Sequence, residues 1–236
     1  MKPEFDSFSD SYDDLLKDPI RDRFMGGASD FFHTRKRDLI RSYFAKRGTS
    51  TYDLAYLDLG CGKGELAVSL RGDFGRTCGC DPSDAMMRSG QIEARGIETL
   101  VQEYPEVIPF PDGEFDFVSA VCVYHHVPLA SRGQLTAEVY RVLKPGGTFV
   151  IIEHNPYNPV TQGVVKRTPV DADAILLKPM ETRGLLRSKG FSISELEYFL
   201  YLPEKLYRNF GRLETMLRRV PLGGQYAAFG ERAGVS

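Results

Sequence analysis

Two groups of residues in this chain have types and spacing that suit chemistry. The first is the run Leu57-Asp58-Leu59-Gly60-Cys61-Gly62-Lys63-Gly64-Glu65, together with Asp81. The run follows a strand-like stretch and leads into a helical pattern at Leu66. Glycines there let the backbone turn sharply and approach a ligand. The helix N-terminus then offers unpaired N–H groups. Asp81 closes the next strand-like run, where a carboxylate can accept hydrogen bonds from ribose hydroxyls. The two strand ends together predict a nucleoside-shaped site. The second group is the four histidines. An imidazole titrates near pH 6.5 and suits a general base. His154, in Glu153-His154-Asn155-Pro156, is the favoured base or acceptor ligand, and His125 is the next candidate. His126 is expected to pack, and His33 to lie exposed on a helix. Glu153 could orient His154, and Tyr157 is a secondary candidate.

The elements that must position these groups are legible in outline. Strand-like runs cover residues 54–59, 77–80, 99–102, 115–123, 149–152, 193–201 and 225–229. Helical patterns separate the first five, which predicts βαβ units and a mostly parallel sheet. Ser131 and Gln134 have capping-box spacing, followed by an apolar stripe at Leu135, Val139, Val142 and Leu143. Lys144 is expected at the negative end of that helix, with Pro145-Gly146 stopping it. The first fifty residues read as polar helices, with Tyr12, Leu15, Leu16, Phe24 and Phe31 among the apolar positions and Gly26-Gly27 as a break. Residues 155–179 carry Pro156, Pro159, Pro169 and Pro179 and read as a lid or substrate loop.

Composition sets the limits. The 236 residues are 42% hydrophobic and 26% charged, which excludes a disordered chain and a disulfide scaffold. The net charge of -2 provides no overall field for gripping phosphates, so nucleic acid is an unfavoured partner. Cys61, Cys78, Cys80 and Cys122 show no zinc-finger spacing, and no metal site is expected. Cys78 and Cys80 should share one strand face as buried thiols. The acidic N-terminus does not read as a signal peptide, and no run reaches the ~18 apolar residues of a membrane span. A reducing cytoplasm is the expected location. Arg35-Lys36-Arg37 and a helical segment with Lys205, Arg208, Arg212, Arg218 and Arg219 form basic patches. The second has an apolar side at Leu206, Phe210, Leu213 and Leu217, expected to pack on the sheet. Peripheral contact with a membrane is the other reading of that segment.

Two cofactors fit the glycine loop. A nicotinamide dinucleotide prefers G-x-G-x-x-G, and Glu65 stands where its third glycine belongs. S-adenosylmethionine carries no phosphate, and Asp58 suits its ammonium. Residues 54–153 resemble the class I S-adenosylmethionine-dependent methyltransferases. The resemblance rests on LDLGCGKGEL (57–66), GCDPSDAM (79–86), IPFPDGEFDFVSAV (108–121), HHV (125–127) and RVLKPGGTFVIIE (141–153). It implies an α/β, Rossmann-like fold with a seven-stranded, mostly parallel sheet and helices on both faces. The last strand would run antiparallel between the fifth and sixth. It also implies that Asp58, Gly60, Cys61 and Gly62 line the methionine part of the cofactor. Asp81 would take the ribose, with Pro82 and Met86 near the adenine. Glu103 and Tyr104 would stand by its amino group, with Tyr104 at the direct alignment position. Val121 and Cys122 would pass beneath the methionine part, and Tyr12 would close over its carboxylate.

The expected organisation is one domain: a helical cap (1–50), a cofactor half (51–153), a substrate loop (154–190) and closing strands (191–236). The expected function is O- or N-methylation of a small-molecule acceptor. Phe31, Phe32, Tyr124, Tyr157 and Tyr201 are candidate walls of an apolar acceptor pocket. The alternatives are an RNA or protein methyltransferase, a non-catalytic nucleoside-binding module, and a dinucleotide dehydrogenase.

Overall fold

Apolar side chains alternate along the strands and give the sheet two packed faces. In the computed structural model, residues 4–7, 9, 11–16, 19 and 30–234 are described. The strands are β1 (Ala55–Leu59), β2 (Arg76–Asp81), β3 (Glu98–Val101), β4 (Phe115–Val121), β5 (Leu143–His154), β6 (Phe191–Phe199) and β7 (Gln225–Arg232). They form one seven-stranded sheet in the order β3-β2-β1-β4-β5-β7-β6. The first five pair in parallel, and β7 runs antiparallel between β5 and β6, as the sequence implies.

The helices are α1 (Tyr12–Leu15), α2 (Asp30–Lys46), α3 (Glu65–Leu70), α4 (Asp84–Ser89), α5 (Leu129–Val142), α6 (Pro159–Val165), α7 (Pro179–Ser188) and α8 (Glu204–Leu217). One sheet face puts Leu57, Leu59, Val118, Ala120 and Ile151 against Leu135, Val139 and Val142 of α5 and Leu186 of α7. The other puts Tyr56, Phe117, Val150, Ile152 and Phe229 against α2 and α3. The period of two decides which residue faces which layer. Cys78 and Cys80 both enter the first core as free thiols. Tyr43 of α2 stacks on Phe229 with ring centroids 4.0 Å apart, so α2 is a full layer of the domain.

Several local expectations are corrected. α5 begins behind Pro128, before the expected cap at Ser131. Proline fixes its own φ and rejects the helix for the residue before it, which sets the boundary there. Ser131 Oγ donates to Glu106 Oε1 at 2.6 Å, so the Ser131–Gln134 capping box does not form. Leu143 turns extended and pairs with Phe115, so Lys144, Pro145 and Gly146 lie inside β5 rather than after a helix. Lys144 Nζ binds Asp116 Oδ2 at 2.7 Å instead of a helix end. His33 is half-buried on α2, not exposed. Phe24 and Gly26-Gly27 lie outside the described residues.

The basic patches change most. Arg35 is buried, stacks 3.7 Å over the Tyr207 ring and pairs with Glu214. Lys36 is buried beside Cys122. Neither serves as a surface patch. Glu214 is the buried residue of α8, while Leu206, Phe210, Leu213 and Leu217 face outward. The expected packing of that apolar side on the sheet is therefore reversed. The reason is electrostatic: the Arg35–Glu214 pair, with Tyr201 and Leu202 N–H groups also donating to Glu214, turns the polar side inward. Removing one partner of a buried pair leaves an uncompensated charge. Glu214→Gln should lower unfolding stability by about 3 kcal/mol in denaturant titrations. Leu213→Ala, on the outward face, should change it by less than about 0.5 kcal/mol.

Candidate cofactor and acceptor site

The strand order reverses beside β1, since the chain runs outward to β3 and then returns to β4. The carboxyl ends of β1 and β4 diverge at this switch point, where open α/β sheets generally take ligands. The predicted residues lie along this edge.

Asp81 ties two of the loops together. Gly62 N–H donates to Asp81 Oδ2 and Ser83 N–H to Asp81 Oδ1, each at 2.8 Å. Ser83 Oγ accepts Met86 N–H at 3.2 Å to cap α4 and donates to Asp6 at 2.6 Å. Asp6 was not singled out by the sequence. Gly60 and Gly62 both have positive φ, but they serve different ends. A Cβ on Gly60 would come within 2.5 Å of Val123 Cγ2. A Cβ on Gly62 would meet only Met86 Cε, at an ordinary contact distance of 3.8 Å, so Gly62 is not crowded. Cys61 and Met86 are buried beneath this loop, and Pro82 is half-buried. Lys63 pairs with Asp13 at 2.9 Å and lies 5.8 Å over the Tyr12 ring, which brings α1 onto the loop. At the end of β3, Glu103 and Tyr104 are exposed, and Gln102 is the residue buried there.

Asp58 is buried near the end of β1. Ser119 Oγ donates to it at 2.9 Å, so Tyr56 must donate in turn to Ser119, 2.8 Å away. Burial outweighs these hydrogen bonds and the field of Lys36, and the Asp58 carboxyl is pushed up to about 7. Val121 ends β4, and Cys122 follows with φ of 58°, a conformation that costs a non-glycine residue energy. The Cys122 N–H donates to Ile152 O at 2.8 Å. Burial would raise its thiol, but Lys36 and a hydrogen bond with His154 outweigh it and lower it to about 7. Lys36 Nζ stands 3.9 Å from Cys122 Sγ, a contact between distant segments that no local pattern signals.

The histidines exchange expected roles. His125 is the buried one and His126 the half-exposed one. Glu153 Oε2 lies 2.5 Å from His125 Nδ1, so Glu153 orients His125 rather than His154. Its other oxygen accepts Tyr124 N–H at 2.8 Å. The β5 alternation explains this: Glu153 turns into the core and His154 remains partly open. Asp171, in the turn Pro169–Asp171 of the predicted lid, lies 3.4 Å from His125 Nε2. Burial opposes a charge on His125, but Glu153 and Asp171 outweigh it, and the imidazole is pushed up to about 10. The His125 and His154 ring centroids are 5.3 Å apart. The sequence missed Asp171, because a lone acid in a proline-rich segment has no local signature.

The aromatic wall is mostly core. Tyr124 is buried with its hydroxyl 3.0 Å from Thr136, because its side chain follows the α5 face. Phe31 packs on Tyr207, Phe32 joins the same cluster, and Tyr201 donates to the Leu217 carbonyl at 2.6 Å. Tyr157, 45% exposed, stays open beside His154 in the chain.

A Rossmann-like α/β fold, with carboxylates near the ends of β1 and β2, is the class these features define. Residues 57–151 match the family model described as a methyltransferase domain. The match falls within the region whose motifs resemble the class I S-adenosylmethionine-dependent methyltransferases. An uncharacterised methyltransferase of Synechocystis sp. is 36% identical over 103 residues, covering 43% of this chain and 48% of the relative. A demethylmenaquinone methyltransferase of Thermus thermophilus is 35% identical over 116 residues, covering 47% and 52%. A ubiquinone/menaquinone biosynthesis C-methyltransferase of Enterobacter sp. is 33% identical over 105 residues, covering 41% of each. The chain spans about half the length of the curated relatives it matches. A SAM-dependent methyltransferase from Thermotoga maritima shares the fold with a TM-score of 0.68 at 18% identity, covering 97% of this chain and 98% of that one.

The position of Asp58 fixes a pH dependence. Its folded pKa lies above the unfolded value, so the folded state binds the proton more tightly. Stability is therefore lost as pH rises from about 4 through about 7. The stability advantage of Asp58→Asn over wild type should grow by about 2–3 kcal/mol between pH 5 and pH 8. Thermal melts at both values check this, and an unchanging difference would contradict it.

Proposed function

We propose that the chain transfers a methyl group from S-adenosylmethionine to a small-molecule acceptor, by O- or N-methylation, at this sheet edge. The observation that carries the reading is Asp58. A buried carboxylate raised to about 7 lacks a cation, and the cofactor's ammonium would supply it. The uncrowded Gly62 beside Asp81 fits the same group. Each Asp81 oxygen retains a lone pair for a ribose hydroxyl. Cys61, Pro82, Met86, Val121 and Cys122 would form the surrounding wall, with Tyr12 over the loop. Glu103 and Tyr104 would flank the adenine from the exposed end of β3. A dinucleotide fits less well, because Glu65 opens α3 where a pyrophosphate would sit.

When bound, S-adenosylmethionine supplies an electrophilic methyl group on a sulfonium. The task of the chain is to hold the acceptor on the axis of displacement. His154 would face the acceptor, accepting its O–H or N–H proton or binding it directly. The 159–188 segment, with α6 and α7, would cover the acceptor. Carbon methylation is the second reading, favoured by the two quinone-pathway relatives above. Burial of Arg35 and Lys36 argues against RNA, since the N-terminal basic patch is spent inside the fold.

Methyl transfer from labelled S-adenosylmethionine to a panel of hydroxyl, amine and quinone-type acceptors tests the activity. His154→Ala should lower turnover by about 100-fold or more while cofactor affinity changes little. Equal turnover would remove His154 from the mechanism.

The outward face of α8 supports one further partner, an anionic membrane surface. Leu206, Phe210, Leu213 and Met216 are exposed beside exposed Lys205, Arg208, Arg212 and Arg219, the composition of an interfacial helix. Co-sedimentation should be strong with phosphatidylserine vesicles and weak with phosphatidylcholine vesicles. Phe210→Ser combined with Arg212→Glu should abolish it. No binding to either vesicle would exclude this partner.

A further inference from the structure

We infer that His125, His154 and Asp171 form a binding site for a divalent first-row transition ion such as Zn2+. The argument starts from Glu153. It is fully buried, and its Oε1 accepts Tyr124 N–H while its Oε2 lies 2.5 Å from His125 Nδ1. An ionised carboxylate only accepts, so Nδ1 carries the proton. Nε2 points away from Glu153 toward Asp171, and a metal ion there would take the place of any proton on that nitrogen. That atom is buried and has no hydrogen-bond partner.

What Nε2 faces is a second acceptor. Asp171 Oδ1 lies 3.4 Å away. This is longer than the ~2.7–3.2 Å of a well-formed N–H···O bond and leaves an ion-pair spacing. Two ligands of one tetrahedral ion, with bonds of about 2.0–2.1 Å, stand roughly 3.4 Å apart. His154 supplies a third atom. The ligand atoms of His125, His154 and Asp171 all lie within 4.8 Å of one another. His126 Nε2 lies 3.5 Å from the same Asp171 oxygen and flanks the site.

The surroundings match what a metal-binding imidazole requires. A carboxylate behind the ligating histidine fixes its tautomer and raises its basicity, and Glu153 stands in that place. The loop bearing Asp171 is held over the histidines, because Ile175 N–H donates to His125 O at 2.9 Å and Arg132 donates to Ile175 O at 2.7 Å. Imidazole and carboxylate donors together suit Zn2+ and its first-row neighbours. The ligands come from the segment after β4, from the last residue of β5 and from the proline-rich loop, so no spacing rule could reveal them. Three protein ligands leave one position open. On the methyltransferase reading, on which this last point rests, that position would take an acceptor oxygen, and His154 would serve as a metal ligand rather than as the base.

The test uses the full chain, stripped with a chelator and then titrated with Zn2+, and separately with Co2+. One Zn2+ per chain is expected, and Co2+ should give the intense visible bands of a tetrahedral N/O site. Asp171→Asn should weaken Zn2+ binding by about 10–100-fold or more while S-adenosylhomocysteine affinity, measured on the same preparation, is retained. Retained affinity also shows that the variant is folded. Absence of stoichiometric Zn2+ binding, or unchanged Zn2+ affinity in Asp171→Asn, overturns the site. S-adenosylhomocysteine binding without zinc binding rejects the metal site and leaves the methyltransferase reading standing. Zinc binding lost in Asp171→Asn, without S-adenosylhomocysteine binding in wild type, supports the site and rejects that reading.

Discussion

The sheet edge depends on one carboxylate. Asp81 ends β2 and receives N–H groups from the glycine loop after β1 and from the start of α4. Without it, two backbone donors would lose their partners next to buried Met86 and Cys61. Ser83 extends the same network to Asp6, and Lys63 extends it to α1 through Asp13. The N-terminal segment is thereby fixed against the loop that it would cover. On the proposed reading, binding and folding would use the same hydrogen bonds here, so the loop's position would be defined before any ligand arrives.

Charge, more than shape, distinguishes the two ends of this edge. At the β1 end, Asp58 is buried with only hydroxyl, backbone and Lys36 support, and it stays half-protonated near neutral pH. At the β5 end, Glu153 and Asp171 are both drawn to lower pKa values by the histidines between them, against the effect of burial. The first end lacks a cation, and the second is organised around positive charge. Lys36 lies between them, lowering both Asp58 and Cys122. The strained backbone of Cys122 falls at this junction, where β4 leaves the sheet. Strain at such a point is characteristic of sites that hold a ligand against the backbone.

Local patterns carried the sheet. Period-two alternation in β1, β4 and β5, with glycine and acid at the strand ends, identified the strands and the loop that positions the cofactor edge. Tertiary electrostatics were not legible in the same way. Arg35 and Lys36 read as surface charge, yet Glu214 and Cys122, far along the chain, draw them inside. The outward apolar side of α8 follows from the same buried pair and reverses what amphipathicity alone suggests. Choosing between His125 and His126 required knowing where Glu153 points, which depends on the register of β5 with β7. Asp171 required knowing where a long loop returns. Ser131 had the right spacing for a cap, but Pro128 determined the helix start first.

The central claim is that this edge binds a nucleoside carrying a free ammonium, and calorimetric titration tests it most directly. S-adenosylhomocysteine should bind with a Kd in the micromolar range, and NADH should not bind. The affinity should rise roughly tenfold between about pH 6 and pH 8 as Asp58 ionises. Binding of NADH in place of S-adenosylhomocysteine, or no binding of either, would contradict the account.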